Sequence, residues 1–166
     1  MSFDYSGTLD TEQIKSKAEE LAKSLQYEFD DLSHLCQALY CKKIGGSKSN
    51  YANSAIALVG DNVLKLALSR KFYMLGADKK SINKQKEEYE NNKQLKKVCD
   101  ELEIYKYAFN DENFYSDNLP NNKKLPRPKH DPYVEAVIGA IYLDRGFDYA
   151  NEWINKQLIP MIEESL

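Results

Sequence analysis

The chain lacks any run of about 18 apolar residues free of charge, so it offers no membrane-spanning helix. Its opening, MSFDYSGTLDTEQ, lacks the basic-then-apolar profile of a secretory signal. It also lacks the arginine-rich, acid-poor profile of a transit peptide. Cysteine is scarce: Cys36, Cys41 and Cys99 are an odd number with no C-x-x-C spacing, which disfavours a disulfide scaffold and favours free thiols in a reducing compartment. The expected setting is therefore cytoplasmic or nuclear, with a mitochondrial one disfavoured. There is no excess of positive charge either. The formal net charge is −3, so any contact with nucleic acid must come from local basic patches, and a histone-like role is disfavoured. His34 with Cys36 and Cys41 lacks the ligand spacing of a zinc site and reads as buried helix packing.

Strand signals are scarce too, and helical periods take their place. The pattern predicts an all-α chain whose 166 residues fit one domain, without internal repeat. A first helix is expected over about 10–25, with Ile14, Ala18, Leu21, Ala22 and Leu25 as its apolar stripe and Asp10 or Thr11 as N-cap. A second is expected over about 31–41, with Leu32, Leu35, Cys36 and Leu39 inward. The stretch from Ile44 to Ser49, rich in glycine and serine, reads as a loop. The longest and most apolar helix follows, over about 50–75, with Gly76 at its C-cap; it is expected to be the centre of the core. A solvated helix over 78–90 and an amphipathic one over 93–103 come next. Pro120, Pro126 and Pro128 mark 110–130 as a long loop. In HDPYVEAVIGAIYLDRGF, Asp131 stands where an N-cap belongs and Pro132 at the first helical position. Val134, Val137, Ile138, Ile141 and Tyr142 form the expected buried face, and Gly146 ends the helix. A final helix over about 148–164 presents Trp153, Ile154, Leu158 and Ile162.

Two of these helices are strongly apolar, and each carries one acid where burial is expensive: Asp61 and Glu135. Two readings are open. The acids converge on a magnesium ion, which takes a few carboxylates and keeps several waters. Or Asp61 pairs with a lysine or caps a neighbouring helix, while Glu135 simply lies in the first turn of its helix, where the dipole favours negative charge.

The residues around both acids resemble a known family. Asn53 to Leu64, NSAIALVGDNVL, is similar to the signature helix N-E-R-L-E-F-L-G-D-A-V-L of the ribonuclease III domain. Asp131 to Gly146, DPYVEAVIGAIYLDRG, resembles that family's later helix, A-D-x-F-E-A-x-I-G-A-I-Y-L-D-x-G. Asn91 to Leu95 looks like its S-N-x-x-L segment, and Leu25 to Phe29 like its opening. The likeness runs in the family's order from about residue 18 to 160. It implies an all-α endonuclease domain, dimeric, that acts on double-stranded RNA with magnesium held by four carboxylates. Carried over residue by residue, the metal ligands are Asp61 and Glu135, and the catalytic set is Asp61, Glu135 and Asp131.

The departures bear on activity. Ala57 stands at the family's metal-binding glutamate, Ser54 at the signature's first acidic position, and Pro132 at the aspartate of the later helix. With about 100° per residue, positions 54, 57 and 61 fall within ~60° on one helix face. That face keeps a single carboxylate. Phosphodiester hydrolysis needs metal to activate water and to stabilise the developing charge, so the chain's own cleavage is expected to be weak or lost. One alternative is an active magnesium-dependent endoribonuclease with a rearranged site using Asp61, Glu135 and Asp131. A second is a structural subunit of a ribonucleoprotein, as in mitochondrial large ribosomal subunits, which the acidic balance disfavours. The best basic patch for RNA is Lys123, Lys124, Arg127 and Lys129, leading into the Glu135 helix. Lys42, Lys43 and Lys48 are a weaker one. No double-stranded-RNA-binding module is expected after Leu166, and the partners implied are double-stranded RNA and a second ribonuclease III subunit, either a copy of this chain or an active paralogue. Leu58, on the signature helix, is the expected contact at the dimer seam.

Overall fold

The computed structural model describes residues 9–45, 50–115, 133–164 and 166. It is helical throughout: α1 Thr11–Leu25, α2 Ser33–Leu39, α3 Ser54–Met74, α4 Lys79–Glu90, α5 Asn92–Leu102, α6 Tyr133–Arg145, α7 Phe147–Trp153 and α8 Ile159–Glu163. Among the described residues the only extended pairings are isolated bridges, such as Lys43 with Tyr51 and Tyr40 with Phe109. No helix of the described residues is long and apolar enough to cross a membrane.

Helix α1 starts where capping chemistry predicts. The Asp10 carboxylate accepts from the Glu12 amide at 3.0 Å, and Ile14, Ala18, Leu21 and Leu25 are buried. It ends at Gln26, which takes the left-handed conformation at φ 54°. Helix α2 is shorter than its apolar pattern suggests. Beyond Leu39 the backbone is diverted: Cys41 donates to the Phe109 carbonyl at 2.8 Å, and Phe109 donates to Leu39 at 3.0 Å. The same competition delays α3, because Ala52 donates to the Lys42 carbonyl at 2.8 Å. Asn53, fully buried, donates from its side chain to the Ala38 carbonyl at 3.0 Å and ties the end of α2 to the start of α3.

Helices α3 and α6 form the most extensive helix pair and the centre of the core. They approach closely enough that side chains are excluded at the crossing. A Cβ on Gly60 would lie 1.6 Å from the Glu135 carbonyl oxygen, and one on Gly139 would lie 2.3 Å from the Ile56 carbonyl oxygen. The glycine in the middle of the apolar stretch is therefore there for backbone-to-backbone packing. Tyr142, expected in the buried face, is 37% exposed. It sits one position, about 100°, past Ile141 and turns toward solvent.

Asp144, at the end of α6, anchors the connection between α1 and α2. Its carboxylate accepts from Tyr27 Oη at 2.9 Å and from the amides of Asp30 and Asp31 at 3.0 and 2.9 Å. Burial and the Asp144 charge push the Tyr27 phenol well above its ordinary range. The last predicted helix is continuous but changes pitch. Between α7 and α8 the chain widens into a π turn over Ile154–Leu158, just before Pro160, which has no amide to donate and crowds the preceding turn. The Asn110–Tyr115 part of the expected long loop is a tight turn. Asn110 Oδ1 accepts from the amides of Glu112 and Asn113, and Phe114 is buried.

Candidate functional site

The α3–α6 crossing positions both predicted acids. Asp61 follows Gly60 directly on α3, and Glu135 is the residue whose carbonyl covers Gly60. Asp61 is half-buried, and its carboxylate accepts a hydrogen bond from Lys65 Nζ, one turn further along α3, at 2.8 Å. The lysine pairing anticipated as the simpler role of Asp61 is thus present. Glu135 is partly buried in the first turn of α6.

A third acid, on a helix expected to be solvated, is partly buried at the end of α4. Glu90 is the last residue of α4, and its Oε2 is buried with no hydrogen-bond partner. Its neighbour Tyr89 fixes that end of α4: the ring lies 5.4 Å from Phe72 of α3, and the hydroxyl donates to Glu163 at 2.9 Å. Asn91 then finishes α4 and opens α5, donating to the Glu87 and Glu88 carbonyls and accepting from the Gln94 amide at 3.0 Å. Burial pushes the Glu90 carboxyl above the ordinary glutamate range. Lys65 and Lys86 pull it back, and Asp61 pushes it further up. Lys65 feels all three acids. The hydrogen bond to Asp61 raises its pKa most, and the charges of Asp61, Glu90 and Glu135 add to that against a smaller opposing effect of burial.

The positions one turn and two turns before Asp61 carry no charge. Ala57 is 4% exposed and packs with Ala38, Ile56, Ala136 and Ala140. The Ser54 hydroxyl accepts from the Tyr51 amide at 3.0 Å, which commits it to the turn that starts α3. Lys42, from the weaker basic candidate, is paired with Asp111 at 2.6 Å. Lys43 is exposed. Asp131, Pro132, Lys123, Lys124, Arg127, Lys129 and Lys48 lie outside the described residues.

Residues 54–146 match the family model of the ribonuclease III domain. This chain belongs to the ribonuclease III domain family. It is 31% identical over 134 residues to Ribonuclease 3 of Campylobacter jejuni, covering 80% of this chain and 57% of that protein. It is likewise 31% identical over 137 residues to Ribonuclease 3 of a Nitratiruptor species, with 81% and 57% covered. The chain thus spans little more than half the length of these curated relatives. Among solved structures it resembles the nuclease domain of ribonuclease III from Campylobacter jejuni, with a TM-score of 0.67, 28% identity, and 89% of this chain and 97% of that one covered. That structure is described as showing flexibility in a region involved in dimer formation.

Against the ribonuclease III pattern, the described residues around Asp61 do not supply the four carboxylates that the resemblance implies for magnesium. Ala57 and Ser54 supply no carboxylate, and Asp61 Oδ2 is already bonded to Lys65. Among the described residues, no group of three or more histidine, cysteine, aspartate or glutamate side chains is arranged to hold a metal ion. What the arrangement provides is an Asp61–Lys65 ion pair on one helix, with Glu90 and Glu135 as more distant charges. Lys65 and Glu90 were the residues missed. The Asp61–Lys65 spacing of four was readable on one helix, but that Glu90 joins from another helix is a tertiary fact.

Proposed function

We propose that this chain engages double-stranded RNA in RNA processing as a dimeric ribonuclease III-type domain whose own strand cleavage is weak or lost. The observation that carries the reading is Ala57. It is buried in an apolar cluster at the position where the family resemblance requires a metal-binding glutamate. A small side chain packed between helices neither binds a cation nor leaves room for water to be activated there. Proposed RNA contacts are Lys123, Lys124, Arg127 and Lys129, with Asp61 and Glu135 marking the former cleavage centre. Leu58 is 63% exposed on α3 and so is not used inside the protomer, in keeping with a seam between subunits.

The test is incubation of the purified chain with long double-stranded RNA and magnesium or manganese, beside Asp61→Asn and Glu135→Gln. The expected result is RNA retention that weakens steeply with salt, with no divalent-dependent cleavage. Cleavage that disappears in both variants would sink this reading and favour an active enzyme with a rearranged site built on Asp61, Glu135 and Asp131.

A further inference from the structure

The three most exposed large apolar side chains among the described residues are consecutive and end α3: Tyr73, Met74 and Leu75, at 70, 72 and 74%. Tyr73 shares the helix side of Leu58 and Leu66. Met74 falls about 100° further round, and Leu75 is the C-cap, so neither belongs to that stripe. Helix α3 gives way to α4 through Gly76, at φ +88°, and a Cβ there would meet nothing within 4 Å. The turn is thus an open tip joining two packed helices.

The charges around this tip are almost all of one sign. Arg70 and Lys71 stand one turn before Met74 and Leu75, and Lys79, Lys80 and Lys84 follow on α4. From 70 to 84 the chain carries these five cations and a single acid, although its net charge is −3. That acid, Asp78, serves as the N-cap of α4, its carboxylate accepting from the Ser81 amide at 2.8 Å. Elsewhere lysines hold an acid one turn away, as Lys65, Lys96, Lys97 and Lys156 do. None of the five cations at the tip makes an ion pair among the described residues. Lys79 and Lys80 occupy the first turn of a helix that has no acid there, where the dipole disfavours positive charge. Such crowding of one sign weakens the fold unless an anionic partner meets it.

An occupant of the tip must accept two apolar side chains and neutralise the cations beside them. The phosphate backbone of RNA offers the charge but no apolar layer. A bilayer containing anionic lipid offers both, with charged headgroups over an acyl layer. We propose that the α3–α4 tip docks on an anionic membrane surface. Met74 and Leu75 enter the headgroup boundary, and Arg70, Lys71, Lys79, Lys80 and Lys84 face the lipid phosphates. Stable attachment of this kind takes two signals, an apolar insertion and a basic patch, and the tip carries both. It is attachment to a surface and requires no spanning helix. Met74 lies about 20 Å along α3 from Asp61, so the inference goes beyond the proposed RNA contact and does not depend on it.

The experiment uses the full chain, free of RNA, and measures cosedimentation with vesicles of phosphatidylcholine alone or mixed with phosphatidylglycerol. The wild type is expected to bind the mixed vesicles at least about tenfold more tightly and to release them as salt is raised. Two variants are compared: Met74→Gln with Leu75→Gln, and Lys79→Gln with Lys80→Gln and Lys84→Gln. Each is expected to keep the helical circular dichroism of the wild type and to bind the mixed vesicles about tenfold or more weakly. Should the first fail to fold, the second, changed only at exposed positions, decides. Equal binding of the wild type to both vesicle types, no binding to either, or undiminished binding by both variants overturns the proposal. Two further measurements read the other occupants when vesicles are not bound. Weaker self-association of the Met74 and Leu75 variant in sedimentation velocity would give the tip to a second copy of the chain. Loss of double-stranded RNA retention in the lysine variant would give the cations to RNA. Either result also overturns the proposal, whereas RNA cleavage bears on the proposed function alone.

Discussion

Glu90 shows how a single side chain is read differently by sequence and by structure. At the end of a polar helix it looks like one more solvated charge. In the fold its Oε2 is buried without a partner, and burial raises the pKa of the carboxyl. An acid whose folded pKa is raised contributes stability that is complete below its unfolded value and is lost as pH rises through the folded value. The glutamate is therefore a net cost at neutral pH. Glu90→Gln should raise stability at pH 7 by a modest amount, because the residue as a whole is only partly buried and solvent screens part of the charge, and should leave it unchanged near pH 4. Urea unfolding at the two pH values checks this; an equal effect at both would show that charge is not the cause. Asp144 is the opposite case, a carboxylate whose buried charge is met by a hydroxyl and two amides. It lies within the matched motif, but its partners come from the other end of the chain, so its anchoring task was not visible in its neighbourhood.

Among the helices, the closest constraint lies between α3 and α6. Gly60→Ala places a methyl group within 1.6 Å of a backbone oxygen of α6, and neither helix has a flexible side chain at that point to move aside. The expected loss is about 3 kcal/mol or more, measurable as a lower urea midpoint with an unchanged slope. A loss below about 0.5 kcal/mol, the ordinary range for surface changes, would mean that the crossing is looser than described. Periodicity located these helices well. Ile14, Ala18, Leu21 and Leu25 of α1, and Val134, Val137, Ile138 and Ile141 of α6, are all buried as their spacing predicts. What periodicity missed has local causes. The start of α3 is delayed by the pairing of Ala52 with Lys42, a contact between chain segments that no helical spacing encodes. The π turn before Pro160 was available in the sequence, since proline lacks the amide that a regular α-helix uses. The candidate site was legible at Asp61, Ala57 and Ser54, which share one helix. It was illegible at Glu90, which comes near α3 only through packing.

For the whole molecule, the exposed side of α3 matters most. Leu58, Leu66 and Tyr73 are 63%, 56% and 70% exposed, and they fall within about 80° around the helix. On the proposed dimeric reading, Leu58 lies at the centre of the seam. Leu58→Lys should then weaken self-association by about 30-fold or more, the effect of losing one central apolar anchor worth about 2 kcal/mol. Its helical circular dichroism should stay as in the wild type, because Leu58 supports nothing within the protomer. Sedimentation velocity across a concentration series distinguishes the two; an unchanged association constant would place the seam elsewhere.

The contact between Gly60 and the Glu135 carbonyl has one more result, which concerns what could be rebuilt. With two backbones touching, the spacing of the helices that carry Asp61 and Glu135 is set by peptide atoms as long as Gly60 and Gly139 are kept. On the proposed cleavage-deficient reading, this frame is kept although the ligands are not. Restoring chemistry is then a matter of exchanging a few side chains on a preserved frame rather than of refolding a new one. The same rigidity means that the two helices cannot draw together to make good a missing acid.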